Sequence, residues 1–250
     1  MRNVYLHGVF QEENTAESHV DLGLSEIPML RRMTPLQIAV MATLLRASIG
    51  HGAVLEQLAA AEAPLYFASA YGELGAMIRV IQSIARSDLP VSPKDFQHSV
   101  LNASLAYISI QRHCHAPGYA LSGGYTAADS ALHLAVQRIA SGIDEGALLF
   151  HGHEGGARRE HAQAELFILS ATPCLARGWR LGYYGNYDAI AEAAGAIEYS
   201  PHACDFFSEN EDPQRIPWLG APRQPQGRRR VVGASGKDLV TEWQEWPHDR

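Results

Sequence analysis

Ala116-Pro-Gly-Tyr-Ala-Leu-Ser-Gly-Gly-Tyr125 reads as a short extended segment closed by a tight Gly-Gly turn, and a helical run from Thr126 to Ala140 follows it. A strand, a sharp turn and a helix lift one side chain onto the first turn of the helix, where aligned backbone dipoles favour developing negative charge. Enzymes place a nucleophile there; this chain places Tyr125 there. Ser122-Gly-Gly124 lies beside it, but the Gly-x-Ser-x-Gly spacing of a serine nucleophile is missing. The glycine pair is therefore read as backbone conformation at the turn.

On the C-terminal side, Ala128, Ala131, Leu132, Ala135, Val136 and Ile139 fall on one helical face rich in alanine, which predicts close helix packing. Gly146–Phe150 and Ala164–Ser170 read as fully buried strands. On the N-terminal side, Ser92-Pro93 opens a helix by a cap-then-proline signal, with Asp95 at its third position. Phe96, Val100, Leu101, Leu105 and Ile108 are expected to face a core, as are Met77, Ile78, Ile81 and Ile84 of an earlier helix. Leu65–Ser69 reads as a buried strand. Thr34-Pro-Leu-Gln37 is a capping box with proline at the first helical position, and Gly50-His-Gly52 is expected to interrupt the helix it starts. Val4–Phe10 reads as a strand, and the polar Gln11–Ser25 as non-core. Strands alternating with helices predict an α/β layer fold with a mostly parallel sheet. After Ser200 the composition changes: six of the thirteen prolines fall there without sustained periodicity, so residues 1–199 are read as the domain and 200–250 as an extended Pro-rich tail.

With 250 residues and a hydrophobic fraction of 46%, the chain can bury a sizeable core. A formal net charge of −7 argues against general affinity for nucleic acid or anionic membrane. Three cysteines, Cys114, Cys174 and Cys204, cannot all pair within one chain, so a reducing cytoplasm is expected. The N-terminal residues lack the apolar core of a signal peptide, and no stretch approaches about eighteen uninterrupted apolar residues.

Metal chemistry has ligand types available in His113-Cys-His115, His151-Gly-His153, Glu154 and His161. A His-x-His pair leaving a strand could chelate from its rim, because alternate residues share a face. No helical His-x-x-x-His and no Cys-x-x-Cys accompanies them, so no metal and no cofactor is assigned. Nothing in the sequence activates Cys114 as a thiol.

The segment from Ala116 resembles the nucleophile elbow of the β-ketoacyl synthases, in which a Gly-Pro-Asn-Tyr-like strand leads, nine positions on, to an acylated cysteine. Nine positions from Ala116 is Tyr125, and Ala131-Leu132 follow at the interval of the family's Ala-Ile pair. Arg31-Arg32-Met33 with the capped helix, Asn102-Ala103 with Ile108-Ser-Ile110, and Ser141–Glu154 are similar to further family segments in the same order. The resemblance covers roughly residues 1–190 and implies a thiolase-like half-fold without the cysteine and without the histidines of a second half. A tyrosine hydroxyl, with a reference pKa near 10, is a poor acyl carrier. The implied function is that of a chain-length factor, a catalytically incomplete subunit paired with a cysteine-containing ketosynthase, as in bacterial aryl polyene synthesis, and meeting acyl carrier protein indirectly. Tyr119, Ala120, Leu121, Ser122, Gly123, Gly124 and Tyr125 are the implied tunnel and interface residues. The alternatives are a residual acyltransferase or a metal-dependent enzyme using the His-x-His pairs.

Overall fold

The computed structural model describes residues 2–13, 22–27, 29–86, 90–154, 162–175, 177–184, 197–199, 226–232 and 238–247. His161 and Cys204 lie outside them. Among the described residues nine strands form one sheet: β1 (Val4–Glu13), β2 (Leu65–Ser69), β3 (Gly118–Ser122), β4 (Gly146–Glu154), β5 (Ala162–Ser170), β6 (Arg177–Tyr184), β7 (Ile197–Tyr199), β8 (Gln226–Val232) and β9 (Asp238–Pro247). Their order is β3-β2-β4-β5-β1-β6-β9-β8-β7. Among the described residues five α-helices accompany them: α1 (Pro35–Ala60), α2 (Leu74–Ala85), α3 (Pro93–His98), α4 (Ala103–Arg112) and α5 (Ala127–Ala140).

The α/β layering follows the expectation, but the sheet is mixed rather than mostly parallel. β3, β2 and β4 run parallel, as do β7 and β8; the other five pairings are antiparallel. Connection length explains the difference. Helices α2–α4 carry the chain from β2 to β3 and α5 carries it from β3 to β4, which are the long crossovers that parallel pairs need. Only seven residues separate β4 from β5, so they pair antiparallel. The stretch expected as an extended tail supplies β8 and β9, and β9 pairs with β6.

α1 starts as its sequence dictates: the Thr34 side chain accepts from the Gln37 N–H while the Gln37 side chain accepts from the Thr34 N–H. Gly50-His-Gly52 kinks the helix without ending it, with His51 at φ −129°. Among the described helices α1 alone has the length and apolar composition of a membrane span; half of that window is buried within the fold, as a core helix's would be. Its Leu36, Val40, Leu44, Leu55 and Leu58 pack against Leu65, Phe67, Phe150, Leu166 and Ile168 on one sheet face. Each such side chain contributes about 1.5–3 kcal/mol by burial. On the opposite face α5 packs Ala128, Ala131, Leu132, Ala135 and Ile139 against Tyr66, Ala68, Leu149, Phe167 and Leu169. Ten of its fourteen residues are buried, so this helix is covered around most of its circumference.

Close approach also sets one glycine. A Cβ on Gly146 would lie 2.6 Å from the Leu169 carbonyl oxygen and would also strike Leu58 of α1, so strand and helix come together only because that atom is missing. Two expectations fail at the surface. Met77, Ile81 and Ile84 of α2 and Phe96 and Val100 at α3 are exposed rather than core-facing. Leu24, inside the stretch read as non-core, is fully buried.

Candidate functional site

The strand-turn-helix unit forms where the sequence places it. β3 ends at Ser122, Gly123 continues extended at φ −174°, and Gly124 turns the chain at φ +60°, a conformation that favours glycine. A 3-10 turn, Gly124–Thr126, then leads into α5, and the Thr126 hydroxyl donates to the Gly123 carbonyl at 3.1 Å. Tyr125 occupies the middle of that turn, two positions before Ala127, the first α-helical residue, rather than within the helix. Asp129 lies buried in the first turn of α5, where an acidic residue suits the helix dipole.

Because β2, β3 and β4 are parallel, their carboxyl ends share one side of the sheet, the side on which open α/β sheets bind ligands. Ser122 Oγ donates to the Ala70 carbonyl at 3.1 Å, so the loop leaving β2 rests against the turn that carries Tyr125. That loop ends in Glu73, which is 1% exposed. Its carboxylate accepts from Thr34 Oγ1 at 2.7 Å, Gln37 Nε2 at 2.9 Å and Ser104 Oγ at 2.9 Å. Gln37 Nε2 also lies 3.1 Å from His98 Nδ1, and the His98 ring stacks on Tyr107. The Glu73 carboxyl group thus joins α1, α2 and α4, and Gln37 extends the link to α3 through His98. Burial pushes Glu73 up to about 7, against the pull of its three donors. Glu154, at the end of β4, accepts from the Gly75 N–H at 2.7 Å and ties α2 to the same edge.

A second buried polar row crosses the sheet under the α5 layer. A Cβ on Gly152 would meet Leu36 of α1, so Gly152 faces α1 and its neighbours His151 and His153 face the other way. His151 Nδ1 lies 3.2 Å from Glu165 Oε2, and Gln11 Nε2 donates to Glu165 Oε1 at 2.5 Å. Burial, then the neighbouring His151, lowers His153 to about 4; burial alone lowers His133 of α5 to about 4.

The metal arrangement of the alternative reading is not assembled among the described residues. His151 and His153 are buried rather than on a strand rim, whereas His113 and His115 are exposed, and no three His, Cys, Asp or Glu side chains converge among the described residues. Cys114 is half-buried against the α1-side core. Cys174 Sγ lies 3.4 Å from the Thr172 carbonyl. Sequence spacing missed one serine–histidine contact, Ser170 Oγ to His7 Nε2 at 2.7 Å. Its polarity opposes nucleophile activation, because the Ser170 hydroxyl donates to the Thr172 carbonyl and so receives a proton donor from the ring.

β3 ends the sheet, with no described strand on its outer side. The Leu65 N–H donates to the Pro117 carbonyl at 2.9 Å, which sets the phase of the parallel ladder. Pro117, Tyr119 and Leu121 therefore turn their backbone groups to β2, while Gly118, Ala120 and Ser122 turn theirs outward. The side chains of this strand are engaged inward. Ala120 packs against the α1-side core and Leu121 against the α5-side core. Tyr119 stacks on Tyr66 at 5.0 Å, beneath an Arg138 guanidinium held by Asp144 at 2.7 and 3.0 Å.

Residues 10–155 match the model of the β-ketoacyl synthase N-terminal domain. Among solved structures, the fold is similar to chains in a ketosynthase (ApeO) in complex with its chain length factor (ApeC) from Xenorhabdus doucetiae, at 14% identity and a TM-score of 0.58, covering 98% of this chain and 100% of that one. The ishigamide ketosynthase/chain length factor superposes at 10% identity and a TM-score of 0.64, covering 97% and 99%. A complex of a type II acyl-carrier protein with its ketosynthase gives 11% identity and a TM-score of 0.62, covering 98% and 99%. No curated protein matches the sequence.

Proposed function

The chain belongs to the β-ketoacyl synthase family through its N-terminal domain, and on that premise we propose that it is a chain-length-factor-type subunit that assembles with a cysteine-containing ketosynthase. The observation that supports this reading is the elbow: strand, glycine turn and helix are built in that order, and the count of nine positions from Ala116 that leads to the family's acyl-carrying cysteine leads here to Tyr125. A tyrosine hydroxyl stays protonated near neutral pH and offers a poor acyl carrier. The subunit therefore contributes shape, and the partner contributes the nucleophile. Ketosynthase and chain length factor occur together in the complexes whose chains share this fold, which supports a ketosynthase partner.

The open edge of β3 supports the mode of pairing. Its outward N–H and C=O groups at Gly118, Ala120 and Ser122 are a template for a strand from another chain. Pairing there sets the elbow residues Gly123, Gly124 and Tyr125 beside the shared acyl tunnel, and an acyl carrier protein reaches the pair through the ketosynthase. The products in view are aryl polyenes or related polyketide and fatty-acid-type chains made in the cytoplasm.

Co-expression with a cysteine-containing ketosynthase from the same genomic neighbourhood tests this. A stable one-to-one complex is expected, with acyl groups from an acyl thioester captured on the partner alone. A stable acyl adduct on Tyr125, Ser122 or Cys114 of the isolated chain overturns the reading.

A further inference from the structure

Helices α2 and α3 bury little of their own: Gly75 and Ala76 are the fully buried residues of α2, and His98 is that of α3. α2 packs chiefly against α3, and the Arg79–Asp95 ion pair at 2.7 Å ties the two into one unit. Apolar burial therefore does little to hold this unit on the rest of the chain. Polar contacts hold it, and they converge on one point. Glu73, from which α2 departs, accepts from Thr34 and Gln37 at the start of α1 and from Ser104 of α4. The Gly75 N–H donates to Glu154, and His98 is met by the same Gln37 amide that reaches Glu73.

The proton positions in this hub follow from the capping box of α1. The Thr34 N–H donates to Gln37 Oε1, which orients the amide, so the Nε2 hydrogens are directed at Glu73 Oε1 and His98 Nδ1. His98 Nδ1 is then an acceptor, and the ring carries its hydrogen on Nε2. A second ring proton would set Nδ1–H against the amide N–H, so His98 stays neutral and supplies no counter-charge to Glu73. Burial, then the Lys94 charge, lower His98 in the same sense. No other group around the hub replaces it. Arg79 is shared between Asp95 and Glu154: Glu154 Oε2 and Arg79 Nη1 lie 2.9 and 3.5 Å from where a Cβ on Gly75 would stand. Arg32, ahead of α1, and Lys94 of α3 are exposed. Burial raises the Tyr107 phenol of α4, which stays neutral, and Glu154 of β4 repels a carboxylate at Glu73. The shell fits the acid: Oε1 accepts from Gln37 and Ser104, and an Oε2–H can donate to Thr34 Oγ1. Loss of that proton leaves a buried charge with amide and hydroxyl partners and no cation, a form that gains by admitting water.

We propose that the Glu73 carboxyl is a proton-operated latch: protonated, it holds the α2–α3 unit against α1 and α4; ionised, it lets that unit open locally while the sheet and α5 stay folded. The proposal rests on the hub alone and not on the ketosynthase pairing. Because Ser122 of β3 donates to the Ala70 carbonyl, the latch lies in the loop that touches the Tyr125 turn. Amide hydrogen exchange of the full chain over about pH 5–8, at several low denaturant concentrations, tests it. Residues 74–85 and 93–98 should exchange through an opening whose denaturant dependence is smaller than that of residues 127–140. The ratio of their opening constants, parent over Glu73→Gln, should rise about tenfold per pH unit and level off above about 7, where burial and the Glu154 charge set the titration of the folded group. His98 is present in both chains and cancels from the ratio. The amide of Glu73→Gln keeps the pattern of the acid, accepting at Oε1 and donating to Thr34, so this chain stays latched at every pH. Glu154→Gln removes the neighbouring charge and should move the levelling to lower pH; if Glu73→Gln does not fold, this variant set against the parent gives the same reading. A ratio that does not change with pH, exchange of 74–85 only in the opening that releases 127–140, or a profile that Glu154→Gln leaves unmoved overturns the proposal.

Discussion

The Glu73 carboxylate accepts the Thr34 hydroxyl at 2.7 Å, so the residue that caps α1 is bonded to the residue from which α2 departs. With Gln37 and Ser104 completing the shell, a single ionisable group holds the helices that frame the carboxyl edge of the parallel strands.

The contribution of that group to stability falls with rising pH. Glu73 ionises near 4.5 in the unfolded chain and near 7 in the folded one. Between these values the folded protein keeps a proton that the unfolded chain has lost, so the stabilisation is present below the lower pH and lost through the upper, on the order of 3 kcal/mol. Glu154, the nearby carboxylate, acts in the same direction. Chemical denaturation across this window should show the pH slope of Glu73→Gln displaced from that of the parent chain by about one proton, toward stability that rises with pH; an unchanged slope sinks the assignment.

Buried histidines act in the opposite sense. His7, His133 and His153 are each lowered from 6.5 to about 4, principally by burial. As pH falls from 6.5 through 4 the unfolded chain takes up protons that these rings refuse, and stability is lost. Replacing His133 by leucine should cut the proton uptake on unfolding in this range by about one, whatever the change in absolute stability. An uptake equal to that of the parent chain contradicts a neutral buried ring.

Much of this architecture was legible because local rules and tertiary packing agree. The Thr34 and Ser92 caps, the strands at Leu65 and Gly146 and the alanine face of α5 all follow from short-range chemistry. Pairing direction was not legible, since it depends on which strands lie adjacent and β1 inserts between β5 and β6 from the far end of the chain. Periodicity marked Met77, Ile81 and Ile84 as one face but could not say whether that face meets this chain or another. Within the site, the glycine turn before Tyr125 was visible as spacing. Glu73, His98 and Ser104 were not, because a hub built from single residues on separate helices leaves no local pattern. Glu165 did leave one: a lone carboxylate inside the apolar run Ala164–Ser170 is uncommon unless partnered, and it is partnered by Gln11 and His151.

The β3 edge separates folding from assembly at the level of single amide groups. Charged replacements of Ala120 or Leu121 would enter the two cores and disturb both. Proline makes the distinction, because it deletes one N–H. At Ala120 that N–H points outward, so Ala120→Pro should leave the melting temperature within a few degrees while ending co-purification with the ketosynthase. At Leu121 the N–H belongs to the β2 ladder, and the same substitution should cost about 3 kcal/mol or more. Retention of the complex by a folded Ala120→Pro chain removes β3 from the interface.

Tyr125 tests the site itself. Its backbone is fixed between Gly124, in the left-handed region, and the start of α5, at the edge where the parallel strands end. In a pair whose partner holds the nucleophile, the residue at this turn alters the space offered to a growing chain without taking part in bond formation. Tyr125→Ala should therefore shift the distribution of product lengths while the complex forms as before and the partner still acylates. Tyr125→Phe, which keeps the volume and drops the hydroxyl, should leave product length unchanged. A Phe variant that behaves like Ala would assign the effect to the hydroxyl. If Ala changes neither product length nor assembly, Tyr125 fills volume at the turn and the tunnel assignment is wrong.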